Sequence, residues 1–93
     1  TAEEKRLQIL FREARKSLQA ENYRRVTAIY DKIIASGIEP YKQEAILALG
    51  VARVQNKQLT QARAQFELYL EQYPESDKAD KVKQQLDSLW QQQ

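Results

Sequence analysis

The chain has 93 residues, of which 42% are apolar, and its 15 basic and 13 acidic side chains give a formal net charge of +2. This predicts one small globular domain, with less excess charge than is usual for a domain that binds nucleic acid through phosphates. Cysteine and histidine are absent, which excludes disulfides, thiolate metal sites and the commonest proton-transfer side chain near neutral pH. We therefore expect no metal, no cofactor, no nucleic-acid partner and no catalysis.

The composition predicts an almost entirely helical chain. Gly and Pro occur only twice each, and most of the remaining positions are good helix formers such as Gln, Glu, Ala, Leu, Lys and Arg. No stretch approaches 18 consecutive apolar residues, so we expect no membrane insertion. The sequence begins at Thr1 and contains no Met, and we expect it to be a piece of a longer protein.

Apolar side chains recur every three or four residues, which predicts amphipathic helices. Five such helices are predicted, at about 3–19, 22–35, 41–55, 59–72 and 77–91. The breaks inside the first two pairs are short, so each pair should fold back as a hairpin. The second helix should end near Gly37, which can adopt a positive φ, Pro74 should stop the fourth, and Ser76 should be the N-cap of the fifth.

The third helix has a different pattern from the others. Its apolar residues cover more than one face, so it should be the most buried of the five. Gly50 lies in its middle, where glycine costs roughly 0.5–1 kcal/mol relative to alanine. We expect a neighbouring backbone to come close at this point.

The first two helices are repeated in the next two, at an offset of 36 residues. Six positions correspond in this way: Leu10 and Ile46, Ala14 and Gly50, Tyr23 and Leu59, Val26 and Ala62, Tyr30 and Phe66, Ile33 and Tyr69. Self-similarity at a period between about 20 and 50 residues is typical of stacked helical arrays, in which each unit buries its apolar face against the next. Such arrays present surfaces to partners.

The third and fourth helices resemble a tetratricopeptide repeat. The family's pattern of apolar, small and aromatic positions corresponds here to Ile46, Leu49, Gly50, Arg53, Ala62, Phe66, Tyr69 and Pro74. Two positions depart from it, because Arg53 replaces an aromatic residue and Tyr69 is larger than the usual alanine. The resemblance implies an all-α, right-handed superhelix with a first repeat at about 5–40, a second at 43–76 and a capping helix at 77–91.

The segment around Tyr73, Pro74 and Ser76 also resembles the tyrosine-proline-x-serine junctions of bacterial cell-envelope repeat proteins. Outer-membrane assembly lipoproteins and the Tol–Pal-associated division factor belong to that group. The resemblance implies a periplasmic or envelope location. Similar junctions occur in cytoplasmic bacterial repeats, so the compartment stays open.

In this family the first helix of each pair lines a concave inner face. The resemblance, with one basic residue of the last helix added, gives these candidate partner-binding residues: Phe11, Arg15, Leu18, Leu47, Val51, Val54 and Lys81. They predict a mostly apolar groove for an amphipathic helix or an extended segment. The alternative is that the fifth helix folds over this face and buries it as core. The carboxylate clamp of some family members looks absent, because Arg15 and Val51 occupy its asparagine positions.

Basic residues cluster in the first two helices and near the start of the fifth: Arg12, Arg15, Lys16, Arg24, Arg25, Lys78, Lys81 and Lys83. One interpretation is recognition of an acidic partner. The other is a solvated helix surface that Glu13 and Glu21 partly neutralise. Tyr23, Tyr30 and Tyr69 fall at packing positions and should be structural.

The leading functional hypothesis is a non-catalytic interaction module that binds a partner peptide or protein through the concave face. It would be part of a larger bacterial protein, with envelope assembly as one role. The alternative is a self-association module, in which an apolar seam at Leu86, Leu89 and Trp90 docks on another copy; packing of Trp90 against the fourth helix would close that seam. RNA binding through the arginines of the first two helices is a third hypothesis, which the near balance of charge disfavours.

Overall fold

The computed structural model describes residues 1–92. Five helices make up the fold: α1 (Ala2–Gln19), α2 (Tyr23–Ser36), α3 (Tyr41–Gln55), α4 (Leu59–Gln72) and α5 (Ala79–Gln91). No residue from 1 to 92 lies in a strand. The predicted all-α fold of five helices is therefore confirmed, and α3 and α4 have the bounds that the sequence predicted.

Each helix packs mainly against the next one in the chain, from α1 on α2 through to α4 on α5. This order builds two helical hairpins, followed by a single helix that packs on the second hairpin. The molecule measures 42 × 31 × 17 Å along its principal axes, so the helices form an extended layer. The right-handed superhelical twist stays a prediction.

The turns within the two hairpins have the same backbone structure. Glu21 and Lys57, which are 36 residues apart, have φ values of 56° and 60°. The amide of the next residue, Asn22 or Gln58, donates to the carbonyl of Ser17 or Arg53, at 2.8 Å in both turns. The 36-residue repeat in the sequence is thus also a repeat in backbone conformation. Neither left-handed position is a glycine, although that region favours glycine.

The helix ends follow local sequence signals. Thr1 and Glu4 form a capping box at the start of α1, and the Asn22 side chain accepts from the Arg25 amide at the start of α2. Gly37 ends α2 in the left-handed region with φ 69°, as its position predicted.

The start of α5 differs from the prediction. Ser76 is not its N-cap, because the helix begins at Ala79 after Lys78. The Ser76 hydroxyl instead accepts from the Lys78 amide at 3.1 Å and so closes a turn that leads into the helix. A serine two residues too early can satisfy the turn without starting the helix.

The core has two parts that meet at α3. One is buried mainly between α1, α2 and α3 and includes Leu7, Val26 and Ile33. The other joins α3, α4 and α5. In α3 only Glu44 and Gln55 are exposed, which confirms that this helix is the most buried. A helix between two cores needs apolar side chains on more than one face.

Gly50 marks a close approach, but the neighbouring group is a side chain rather than a backbone. A Cβ atom at position 50 would lie 2.6 Å from Cε1 of Phe66 and 2.9 Å from its Cδ1. The Phe66 ring is fully buried. The expectation of a close backbone was therefore wrong, and the missing side chain makes room for an aromatic ring of α4.

A hydrogen-bonded network holds the end of the second hairpin. The Gln43 side-chain amide donates to the hydroxyls of Tyr69 at 2.9 Å and Ser76 at 3.2 Å, and these hydroxyls are 2.7 Å apart. The Tyr73 hydroxyl donates to Oε2 of Glu39 at 2.5 Å. Oε1 of the same carboxylate accepts from the backbone amide of Gln43 at 3.1 Å. This network ties the connection after α2 to the connection before α5.

Candidate interaction groove

An open groove of about 380 Å³ runs between α1, α3 and the residue before α5. We call it the inner groove, and its lining comprises Phe11, Arg15, Leu18, Tyr30, Glu44, Leu47, Ala48, Val51 and Lys78. Five of the residues expected on the concave face are thus brought together: Phe11, Arg15, Leu18, Leu47 and Val51. Their recurrence at three- and four-residue spacing puts the α1 group and the α3 group each on one helix face.

Aromatic packing fixes one wall of the inner groove. The ring of Phe11 lies 5.9 Å from that of Tyr30 and 6.3 Å from that of Tyr41, both tilted. Such tilted pairs are favourable beyond the area they bury. The Tyr41 hydroxyl also accepts from the Gln8 side chain at 3.2 Å. This wall is therefore held in place by α2 and α3 as well as by α1.

The predicted residue Val54 lines a different, smaller groove of about 230 Å³, which shares Val51 with the inner groove. Its other wall includes Gln85, Ser88 and Leu89 of α5. The last helix thus lies beside the C-terminal part of α3. Leu47, Val51 and Val54 pack against the second core yet stay half-buried, so α5 does not cover this face completely.

Lys81 does not line the inner groove. The basic residue there is Lys78, which lies three positions earlier, before α5 begins. The sequence pattern placed the start of α5 two residues too early, and a role of Lys81 in partner binding stays a prediction. Tyr30, Glu44 and Ala48 were also missed. Ala48 lies next to the predicted residue Leu47, and Glu44 lies about one helical turn before it. Tyr30 belongs to α2, and only packing brings it to the groove.

The charges around the inner groove are not paired with one another. Arg15, Glu44 and Lys78 take part in no ion pair among residues 1–92. Two cations and one anion therefore face this surface. Burial raises the pKa of the Tyr30 hydroxyl, and the nearby Arg15 charge opposes that rise.

Two of the other basic residues lie in exposed ion pairs. Arg25 lies 3.5 Å from Glu13 across the first hairpin, as partial neutralisation of a solvated surface predicted. Lys83 is at 4.0 Å from Asp80 on the exposed side of α5. Exposed pairs of this kind contribute about 0–1 kcal/mol each.

The apolar seam proposed on α5 is smaller than expected. Leu89 is buried and Leu86 is half-buried, so only Trp90 stays open, with 53% of its surface exposed. The Arg63 guanidinium of α4 lies 4.5 Å from the centre of the Trp90 ring. Trp90 thus packs against the fourth helix through a cation–π contact and still presents a face to solvent.

No group of three or more Asp and Glu residues that could hold a metal ion occurs between residues 1 and 92. Over the same range, none of the five helices is long and apolar enough to cross a membrane.

Comparison with known proteins gives no further guide to the site. No family model matches the chain. Among curated proteins and among solved structures, none matches it either. The resemblance to tetratricopeptide repeats therefore stays a prediction from the residues quoted above.

Proposed function

We propose that the chain is a non-catalytic interaction module of the tetratricopeptide-repeat type that binds a peptide segment of a partner protein in the inner groove. The observation that carries this proposal is the shared groove of Phe11, Leu18, Leu47 and Val51. These apolar side chains come from two repeats, are half-buried, and remain open to solvent. A folded domain gains from covering such a surface.

The size and shape of the inner groove suit a helix or an extended segment with apolar anchors. A volume of about 380 Å³ accommodates a few side chains rather than a whole domain. Peptide grooves of this kind obtain affinity from a few anchors in apolar pockets, while the surrounding polar groups set orientation. Arg15 and Lys78 outnumber Glu44 at the rim, which favours a partner with an acidic residue beside its apolar anchor.

The test is selection of peptides from a random library on the purified chain, followed by binding measurements on variants. Leu47→Ser should weaken the selected peptides by about tenfold or more, since one well-packed anchor contributes on the order of 1–2 kcal/mol. Ile9→Ser is the matched control, because Ile9 is an exposed apolar residue on α1 outside the groove. Helicity of each variant is checked by circular dichroism.

Peptides that bind the Leu47→Ser variant as tightly as the wild type would contradict the proposal. The same holds if backbone amide shifts induced by the peptides map outside α1 and α3. In 0.5 M salt the Debye length falls to roughly 4–5 Å, which screens charge interactions. This salt concentration should weaken the binding of only those peptides that carry acidic residues.

A second candidate function is self-association, which the exposed face of Trp90 favours. Sedimentation of the wild type and of Trp90→Ala tests it, with Ile9→Ala as the control for loss of another exposed apolar side chain. A concentration-dependent dimer that only Trp90→Ala abolishes supports self-association. A wild type that is monomeric up to the highest concentration excludes it.

The Tyr73-Pro74-Glu75-Ser76 junction supports a bacterial envelope protein as the parent of this module. This part of the proposal depends on the resemblance of the junction to those of repeat proteins in that compartment. Fractionation of cells that express the parent protein tests this part of the proposal, and recovery in the cytoplasm alone would reject it.

A further inference from the structure

A third open cavity, of about 340 Å³, lies where the first turn of α2 meets the turn between α3 and α4. Each lining residue carries a polar side-chain group: Tyr23, Arg24, Thr27, Arg53, Asn56 and Gln58. None of these residues lines the inner groove. Apart from Arg24, which is exposed, they are all half-buried.

Arg53 places a charged group in this cavity. Its side chain is half-buried and donates one hydrogen bond, from Nη1 to Oε1 of Gln58 at 3.2 Å. No carboxylate among residues 1–92 lies within ion-pair distance of it. A guanidinium has five N–H donors, and Arg53 lines the cavity with one of them bonded to Gln58. Partly burying such a charge without an anion is unfavourable.

The corresponding position of the first repeat shows that packing does not require this charge. Ser17, 36 residues earlier, is 7% exposed and neutral. Both positions accept the same turn hydrogen bond through their carbonyl oxygens. An arginine at position 53 therefore adds a cation that the fold itself does not need.

Arg24 supplies a second guanidinium to the same cavity, and it too forms no ion pair among residues 1–92. Its neighbour Arg25 is oriented differently and approaches Glu13 at 3.5 Å. No acidic residue lines the cavity; Glu21, in the adjoining turn, is not part of the lining. The remaining polar groups are hydroxyls and amides, which can all donate hydrogen bonds.

The helix termini add to this positive field. α2 begins at Tyr23 and the first turn of α4 follows Gln58, and neither first turn contains an acidic residue. The partial positive charge at each N-terminus is therefore not offset by a side chain there. These partial charges add to the positive charge of the two arginines. Without the arginines they would not define a site.

We propose that this cavity binds a phosphate group, as inorganic phosphate or as a phosphate monoester. Two guanidiniums can hold a tetrahedral dianion through paired N–H donors, and a dianion gains more from two cations than a single carboxylate does. Thr27 and Asn56 line the same cavity, and a hydroxyl and a side-chain amide can both donate to the remaining oxygens. The site is independent of the inner groove and of the function proposed for it.

The experiment is a titration of the ¹⁵N-labelled chain at pH 7.5 with inorganic phosphate and, separately, with O-phosphoserine. Sodium chloride at matched ionic strength and unmodified serine are the ligand controls. We expect saturable shifts of the Thr27 and Asn56 amides and of the Arg53 side-chain Nε–H. Arg24→Gln and Arg53→Gln should each weaken binding by about tenfold or more, while Arg12→Gln, an exposed arginine elsewhere on α1, should leave it unchanged.

Three results would overturn the proposal. The first is a linear, non-saturating response that sodium chloride reproduces. The second is unchanged binding by Arg24→Gln, an exposed substitution that leaves the core intact. The third is equally tight binding of malonate, which would make this a carboxylate site. Binding of O-phosphoserine but not of inorganic phosphate would support a monoester, and the reverse would support the free anion.

Discussion

The two hairpins of this protein share a backbone but fill it with different side chains. Both have the same three-residue turn, with a left-handed residue at Glu21 or Lys57 and the same hydrogen bonds 36 residues apart. At the positions that correspond to Gly50 and Phe66, the first repeat has Ala14 and Tyr30, which belong to one buried cluster. The second repeat removes the side chain altogether at Gly50 and places the Phe66 ring in that space.

This difference separates what the fold requires from what it permits. The turn geometry and the buried apolar positions are common to both hairpins, so they define the repeat. Ser17 and Arg53 occupy equivalent positions, yet one is buried and neutral while the other lines a cavity with a charged group. A difference between the repeats, rather than the repeat itself, therefore produces the cavity at Arg53.

The ends of the hairpins differ as well. The first ends at Gly37, which caps α2 in the left-handed region with little steric hindrance. The second ends in the network of Gln43, Tyr69, Tyr73 and Ser76, which connects to Glu39. Both junctions are thus joined through Glu39 in this network, and the junction before α3 also has the glycine cap.

The largest expected effect comes from the aromatic ring at the centre of the second hairpin. Phe66→Ala should lower the free energy of unfolding by about 3–5 kcal/mol, because it leaves a cavity around a fully buried ring. Glu67→Ala, at the exposed next position, is the control. Tyr30→Phe, which gives the first repeat the residue of the second, should change stability by less than about 0.5 kcal/mol. Urea denaturation measures all three, and a Phe66→Ala loss no larger than that of Glu67→Ala would contradict this account of the core.

The next effect tests the contact between Gly50 and Phe66. Gly50→Ala should destabilise the chain by about 1–3 kcal/mol through overpacking, although alanine is the better helix former by about 0.5–1 kcal/mol. The new Cβ would lie 2.6 Å from the Phe66 ring. The matched change in the first repeat, Ala14→Gly, should cost only about 1 kcal/mol of helix propensity plus a small cavity. Thermal unfolding followed by circular dichroism measures both, and a stabilised Gly50→Ala variant would show that the ring moves aside easily.

A smaller effect is expected in the hydrogen-bonded network at the end of the second hairpin. Tyr73→Phe should cost about 0.5–1 kcal/mol, because it removes a partly exposed hydrogen bond to Glu39. Burial, together with this bond and the Glu39 charge, raises the pKa of Tyr73 from 10.0 to about 12. The folded state thus favours the neutral hydroxyl, so its contribution is complete below pH 10 and is lost as the pH rises from 10 to 12.

The wild type should therefore be more stable than Tyr73→Phe below pH 10, and this difference in stability should disappear between pH 10 and pH 12. The difference between their Tm values measures it. Tyr41→Phe, which removes another half-buried hydroxyl, is the control. A Tm difference between wild type and Tyr73→Phe that stays constant from pH 9 to pH 12 would show that the Tyr73 hydroxyl is not held in this way.

The smallest effect concerns the two shared turns. Lys57→Gly and Glu21→Gly should each stabilise the chain by about 0.5 kcal/mol, since relief of a left-handed residue, worth roughly 1–2 kcal/mol, exceeds the added entropy of the unfolded chain. Equal gains at both positions would confirm that the two turns are equivalent. A loss at either position, measured against Lys42→Gly within α3 as a destabilising control, would mean that the side chain there makes a stabilising contact.

Much of the fold follows from local patterns in the sequence. The bounds of α3 and α4 and the burial of α3 follow from the spacing of apolar residues, and the Gly37 cap follows from the one residue type without a side chain. The start of α5 does not follow in this way. Ser76 and Asp77 resemble a helix start, but the hydroxyl of Ser76 is engaged by Tyr69 and Gln43 in the packed junction, and the helix begins at Ala79.

The candidate sites show the same division. Phe11, Leu18, Leu47 and Val51 could be assigned to one face because helical spacing and the 36-residue repeat place them there. Lys78 could not, since its position depends on where α5 begins. The cavity at Arg24 and Arg53 could not be predicted either, because it joins residues that are 29 positions apart in sequence.

The sequence by itself determined the five helices, their pairing into hairpins and the two-fold recurrence of the core, because each of these depends on short-range periodicity and short connections. Only the tertiary structure decided that a ring rather than a backbone fills the space above Gly50, and that Trp90 rests on Arg63. It also decided which charges share a cavity. These outcomes depend on how side chains from distant segments fill a common volume, which no pattern along one helix can specify.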